Sequence, residues 1–329
     1  MTGILNGIVH TAEFFMYFYP LEIEYIEEIY GGSVIYKDAK KFTLEMNNIK
    51  ITIIKSNIYG YTGMKIDFIK LLNKPNLGSS DLNEIYKKIY TVLEPMCRDS
   101  KFPILKRWDF RLDVKFNDTY EKDLIYKLYD KTTTKLYGLN RTKFINDSIC
   151  NNNYNYYYKT NAINSSITLN LYDKQNERFD KEIEPKAYEK NVIRYEVQLR
   201  KRHIDYNNYK KAYKREIDSY LDEDLFMFYM EKYIKPIVYF SDYYDIYSAK
   251  KIINAGVTRK DERKKLINFL TLVSRNNIDK AKEIYTTHVF KHCINVLDKL
   301  GINPVLIPKH YNIKKIVNPL STIYTLYGK

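Results

Sequence analysis

Apolar and polar residues alternate along three stretches in the first two thirds of the chain, and the alternation predicts three half-buried β-strands. Successive side chains of a strand point to opposite faces, so Trp108, Phe110, Leu112, Val114 and Phe116 mark a core face. Asp109, Arg111, Asp113 and Lys115 share the other. In the second stretch Ile167, Leu169 and Leu171 point inward, leaving Ser166, Thr168, Asn170, Tyr172 and Lys174 outward. The third sets Ile193, Tyr195, Val197 and Leu199 against Arg194, Glu196, Gln198 and Arg200. One sheet face can thus carry Asp, Tyr, Lys and Glu together.

Further elements follow from the same reasoning. Phe42, Leu44 and Met46 alternate, Asn47-Asn48 suits the positive φ of a tight turn, and Ile49, Ile51 and Ile53 alternate beyond it, which predicts a hairpin. Gly60 and Gly63 are expected to bracket a turn into a strand with Met64, Ile66 and Phe68 inward and Asp67 outward. Asp81 with Glu84 reads as a capping pair before a helix whose stripe is Leu82, Ile85, Ile89, Val92 and Leu93, ended by Pro95. Asp118 and Glu121 repeat that signal ahead of Leu124, Ile125 and Leu128. Such helices can cover the apolar side of an antiparallel sheet and leave its opposite face free.

After about residue 205 the strand signals give way to helical ones. Thr258 and Asp261 open a helix with Leu266, Ile267, Phe269, Leu270 and Val273. Another is expected from about Asp279 to Leu300, with Gly301 as left-handed cap. The fold class is therefore α+β: an antiparallel sheet with helices on one face, followed by a mainly helical C-terminal domain. The division is placed at residues 1–205 and 206–329.

Asp, Glu, Tyr and Lys on one face have a coherent chemistry. Two carboxylates on adjacent strands can hold Mg²⁺ or Mn²⁺, which polarises a phosphoryl oxygen. A tyrosine with a pKa of about 10 is a weak nucleophile unless a cation, metal or base stands beside it, and Lys174 lies two residues from Tyr172. Attack on phosphorus would leave a phosphotyrosyl enzyme. The same residues can also be plain structure: Asp113 with Arg111, and Glu196 with Arg194, could form solvated ion pairs of small value.

The order of an Arg-x-Asp strand, a Tyr-x-Lys strand and an Arg-aromatic-Glu strand resembles the phage and plasmid replication initiators of the filamentous-phage gene II/X type. It is more distantly similar to the rolling-circle initiators of staphylococcal plasmids. Lys65 to Leu72 and Asn76 to Leu82 add a strand and an Asn-containing loop, so the resemblance spans roughly residues 63 to 202. It implies a HUH/Rep-like nicking domain in residues 1–205, with Tyr172 as nucleophile, Lys174 assisting it, and Asp113, Glu196 and Asp67 as ligands of Mg²⁺ or Mn²⁺. Arg111, Arg194 and Lys65 are its candidate DNA contacts, and Tyr158 is the alternative nucleophile. The chain departs from the relaxase pattern in lacking a His-hydrophobic-His strand. Single- and double-stranded origin DNA, a host helicase and a host polymerase are the implied partners, with a homodimer as a further option. The rival readings are a non-catalytic origin or operator binder, and a mobilisation relaxase or transposase with the same tyrosine chemistry.

Composition supports a polyanionic partner. Fifty-four Lys and Arg against 40 Asp and Glu give +14 over 329 residues, a field that supports non-specific DNA affinities of roughly 10⁻⁴ to 10⁻⁶ M. Most of the 34 tyrosines accompany abundant Lys, Asn and Ile, as AT-rich codons would give. Tyr154, Tyr156, Tyr157 and Tyr158 read as a loop running into a strand. Cys97, Cys150 and Cys293 form no CxxC pair, which suits a reducing cytoplasm. His288 and His292 share a helical spacing without the glutamate of a zinc protease. No Walker or dinucleotide loop appears among the 11 glycines, so ATP hydrolysis is not expected. The N-terminus lacks a signal-peptide pattern, and no apolar run reaches the roughly 20 residues of a membrane span. A protein of the bacterial cytoplasm without a membrane partner is the expectation. Lys264, Lys265 and Lys291 make the C-terminal helices a candidate for duplex recognition or dimerisation.

Overall fold

The computed structural model describes residues 3–6, 8–37, 41–54, 60–74, 77–96, 103–145, 154–159 and 166–327. Asn76, Cys97 and Cys150 lie outside them. Twelve strands form one antiparallel sheet: β1 (Gly3–Asn6), β2 (Val9–Phe18), β3 (Val34–Lys37), β4 (Lys41–Met46), β5 (Ile49–Ile54), β6 (Gly60–Asp67), β7 (Ile104–Lys115), β8 (Lys135–Leu136), β9 (Leu139–Ile145), β10 (Tyr154–Lys159), β11 (Ile167–Asp173) and β12 (Val192–Leu199). Their order is β3-β4-β5-β6-β2-β7-β12-β11-β10-β9-β8, with β1 also paired to β7. The twelve-residue β7 is the spine, flanked by β2 and β1 on one side and β12 on the other.

The predicted hairpin is β4-β5, with Asn47 and Asn48 at φ 48° and 63°. Gly60 and Gly63 do not bracket a turn. Both lie inside β6, opposite Phe18 and Phe15, because pairing with β2 continues unbroken to Asp67. Asp67 caps the short helix α2 (Phe68–Leu72) that follows α1 (Pro20–Ile29) in the chain. Next comes α3 (Leu82–Leu93), which buries Ile85, Ile89, Val92 and Leu93 as its stripe requires. Asp81 closes the turn before it rather than pairing with Glu84: its carboxylate accepts from Gly78 N and Lys74 Nζ. Asp118 caps α4 (Thr119–Leu128) by accepting from Glu121 N.

The core face of the central strands follows the predicted parity, with Trp108, Phe110, Leu112, Val114, Ile193, Val197 and Leu169 all buried. Their cover includes the C-terminal helices. After α5 (Lys174–Phe179) and α6 (Lys201–Lys211), α7 (Glu223–Tyr229) runs through a π-helical turn into α8 (Lys235–Val238). Tyr229 of α7 stacks on Phe110 at 5.1 Å, and Tyr220 packs beside Trp108 at 6.0 Å. The main-chain N–H of Leu105 in β7 donates to Arg215, so backbone bonding also crosses residue 205.

The opposite face is not open along its length. β7, β11 and β12 are buried on both faces, and Arg111 and Arg194 are 0% and 2% exposed. α5 leaves β11 directly, and Lys174 meets Glu177 and Glu189 there, roofing part of the polar face.

Beyond α8 lie α9 (Ile246–Gly256), α10 (Lys260–Arg275), α11 (Ile278–Ile284), α12 (Thr287–Lys299) and α13 (Ile323–Tyr327), with a small hairpin of β13 (Tyr243–Tyr244) and β14 (Lys315–Ile316). One helix was expected from Asp279 to Leu300; two are present. Tyr285 is extended, and Thr286 restarts the helix as N-cap, its hydroxyl accepting from Val289 N at 3.3 Å. Thr286→Ala is expected to cost about 1 kcal/mol, read as a lower urea midpoint at unchanged m-value. Gly301 has the predicted positive φ, 69°. No helix among the described residues is long and apolar enough to cross a membrane.

Candidate functional site

Where the roof stops, the polar faces of β6, β2, β7, β12 and β11 open into a cleft of about 380 Å³. A β-bulge shapes it. The pairing of β2 with β7 shifts between Val9 and Thr11, and such a kink re-aims side chains, so the adjacent His10 and Thr11 both line the cleft.

Tyr172 stands on β11 opposite Arg194, and Glu196 lies two residues further along β12, opposite Asn170 and Arg111. This diagonal lets Tyr172 Oη donate to Glu196 Oε1 at 2.6 Å, while Asn170 Nδ2 donates to Glu196 Oε2 at 3.2 Å. Tyr172 is 8% exposed and lines the cleft with Glu196. Burial, then the Glu196 carboxylate, pushes its phenol well above 10, against the pull of Arg194. At neutral pH it is a phenol already bonded to a base. Lys174 Nζ is 5.9 Å from the Tyr172 ring centroid and donates to Glu177 at 2.7 Å. Its ammonium is lowered by burial and then by Arg194, with Glu177 opposing.

Asp67 also reaches the cleft. Its Oδ1 accepts from Ile69 N and Lys70 N, and its Oδ2 is 3.8 Å from His10 Nε2. On the other side of the ring, His10 Nδ1 is 3.7 Å from Glu196 Oε1. Burial and the cations Arg194, Arg111, Lys174 and Lys65 hold this imidazole neutral, well below 6.5. Asp109 completes the floor. Burial raises it to about 7 although Arg107 donates to both its oxygens, at 2.8 and 2.6 Å. Sequence reasoning missed His10 and did not single out Asp109. For Asp109 the signal was present, since it shares the parity of Asp113.

Asp113 does not join Asp67 and Glu196 in the cleft. Both its oxygens accept from Arg194, from Nε at 2.6 Å and Nη2 at 2.8 Å, and Arg111 Nε lies 3.6 Å away. The residues put forward for Mg²⁺ or Mn²⁺ therefore do not fit such an ion as arranged. Asp113 uses both oxygens on Arg194, Glu196 uses both on Tyr172 and Asn170, and Asp67 is turned to a helix cap. Among the described residues no group of three or more His, Cys, Asp or Glu could hold a metal. Arg111 and Arg194, the candidate DNA contacts of the central strands, are buried away from the surface. Lys65 is exposed: with Lys50, its cross-strand neighbour, and Lys70, it forms a rim to the cleft. Tyr158 pairs in β10 opposite Leu169 and Arg141, and its side chain lies outside the described residues. His288 and His292 are remote, on α12, where His292 Nε2 bonds Glu262 at 2.8 Å.

No family model matches the chain, and no curated protein matches it. Among solved structures it is similar to a rolling circle replication initiator protein from Geobacillus stearothermophilus. The TM-score is 0.37 and the identity 11%, covering 92% of this chain and 98% of that one. A likeness that distant leaves the chemistry to rest on the residues themselves.

Proposed function

We propose that the chain is a tyrosine DNA endonuclease and strand transferase that nicks one strand at a replication origin and starts rolling-circle replication. The observation that carries this reading is the 2.6 Å bond from Tyr172 to Glu196 in a cleft rimmed by Lys50, Lys65 and Lys70. A phenol bonded to a carboxylate beside a polyanion-binding rim is a nucleophile with its base in place. The order of the three strand motifs adds support.

In the proposed reaction the Tyr172 O–H bond breaks, its proton passes to Glu196 Oε1, and Oη forms a bond to phosphorus. The bond from phosphorus to the 3′-oxygen breaks with its electron pair on that oxygen, which takes a proton from the Lys174 ammonium. A 5′-phosphotyrosyl link and a free 3′-hydroxyl remain, and the hydroxyl would prime a host polymerase. Residues 1–205 would supply this chemistry to single-stranded DNA. Residues 206–329 would bind the origin duplex or a second copy, as well as covering the sheet.

The test uses 5′- and 3′-labelled single-stranded origin oligonucleotides, incubated with Mn²⁺ and separately with a chelator, then run on a denaturing gel. A protein-linked fragment mapping to Tyr172 is expected. Tight binding without cleavage under either condition would sink the reading and leave an origin-binding protein. On the rim, Lys65→Ala is expected to weaken single-strand binding alike for all sequences. The slope of log K against log salt should fall by about 0.7, as measured by fluorescence titration at several salt concentrations.

A further inference from the structure

Beneath Tyr172 and Glu196 lies a layer of charge that the proposed reaction has not yet used. Arg194 is 2% exposed and fixed by Asp113, which accepts from Nε and Nη2. That leaves Nη1, which is buried and meets no hydrogen-bond acceptor among the described residues. It lies 3.9 Å from Glu196 Oε1, the oxygen that accepts from Tyr172. Register places Arg194 directly opposite Tyr172, so the guanidinium is a neighbour of both proton donor and acceptor. A buried donor without a partner is costly, and such a cost persists where a charge is to develop.

We propose that Arg194, held by Asp113, is a positioning residue that stabilises the negative charge appearing on Tyr172 Oη during nicking. The proposal rests on the reading of Tyr172 as nucleophile. As the Oη–H bond breaks, the proton goes to Glu196 and the electron pair stays on Oη until phosphorus accepts it. Negative charge thus moves from the carboxylate to the phenolate, and Arg194 faces both. Its fork divides the work: two nitrogens grip Asp113 and the third is free for the charge in transit. Lysine carries the charge but cannot serve both ends, since its ammonium is a single point without the planar fork.

The prediction is tested on the full chain carrying Asp113→Asn together with Arg194→Gln, which removes both charges and leaves Arg111 facing its cross-strand neighbour Glu196. Arg194→Lys is the second variant, in case the first does not fold. Adduct formation on the labelled origin strand should slow by about a hundredfold, the scale for removing one preorganised donor, with DNA affinity unchanged. A purely structural role is separated by placing 3,5-difluorotyrosine at position 172, whose more acidic phenol needs less help. Fluorination should restore the slowed variant by a larger factor than it accelerates the native chain. A variant that forms adduct at the native rate, or that gains from fluorination no more than the native chain does, overturns the proposal. Absence of adduct in the native chain would instead overturn the nicking reading on which it rests.

Discussion

Tyr172→Phe is expected to abolish the covalent protein–DNA adduct while single-strand affinity stays within about twofold of the native value, because on the proposed reading the lysine rim, not Oη, holds the strand. Phenylalanine keeps the ring in its buried seat on β11 and removes only Oη. Glu196 loses one donor yet still accepts from Asn170 and faces Arg194 Nη1. The stability cost is therefore expected to be about 1 kcal/mol, at the low end for a buried acceptor that loses one partner. The variant should fold, bind and leave the strand intact. Denaturing gels with labelled origin strand, run beside a melting curve and a binding titration, check all three. Adduct formation by the phenylalanine variant would move the nucleophile elsewhere, and Tyr158 on the neighbouring β10 would be replaced next.

Parity alone separated the two faces of the central strands. Alternation in β7, β11 and β12 correctly sorted Trp108, Phe110, Leu112 and Val114 from Asp109, Arg111 and Asp113, because successive side chains of a strand point to opposite faces, although these strands are buried on both faces rather than half-buried. It did not reveal what covers the polar face. α5 and Glu189 roof it by tertiary packing, which no strand pattern contains. Parity also leaves register open, and register decides partners here: Arg194 lies opposite Asp113, not Glu196, so the ion pair that forms joins β12 to β7. His10 was illegible for a related reason. Its place in the cleft depends on a one-residue bulge in β2 and on β2 lying beside β7, and neither leaves a mark on the residues around it.

The buried pair is also where single substitutions should do the most damage to the fold. Asp113→Ala is expected to lower stability by about 3 to 5 kcal/mol, the range for breaking a buried ion pair by removing one partner. Arg194 would keep its charge in a site that is 2% exposed, with Arg111 close by and Glu196, 3.9 Å from Nη1, left to face both guanidiniums. Had Asp113 been a metal ligand in an open cleft, its removal would have relieved repulsion among carboxylates instead. The sign of the change thus discriminates between the two arrangements, and urea denaturation of the metal-free protein measures it. pH carries the same information. Burial alone would raise the Asp113 carboxyl, but Arg194 and Arg111 override it and hold the group below its usual range. The contribution of Asp113 is then fully present above the unfolded value, near pH 4, and is lost as pH falls through the lower folded value. Asp113→Ala should flatten that part of the stability profile. The double variant that combines Asp113→Asn with Arg194→Gln should avoid most of the loss, because it removes both charges of the pair and leaves Arg111 facing Glu196.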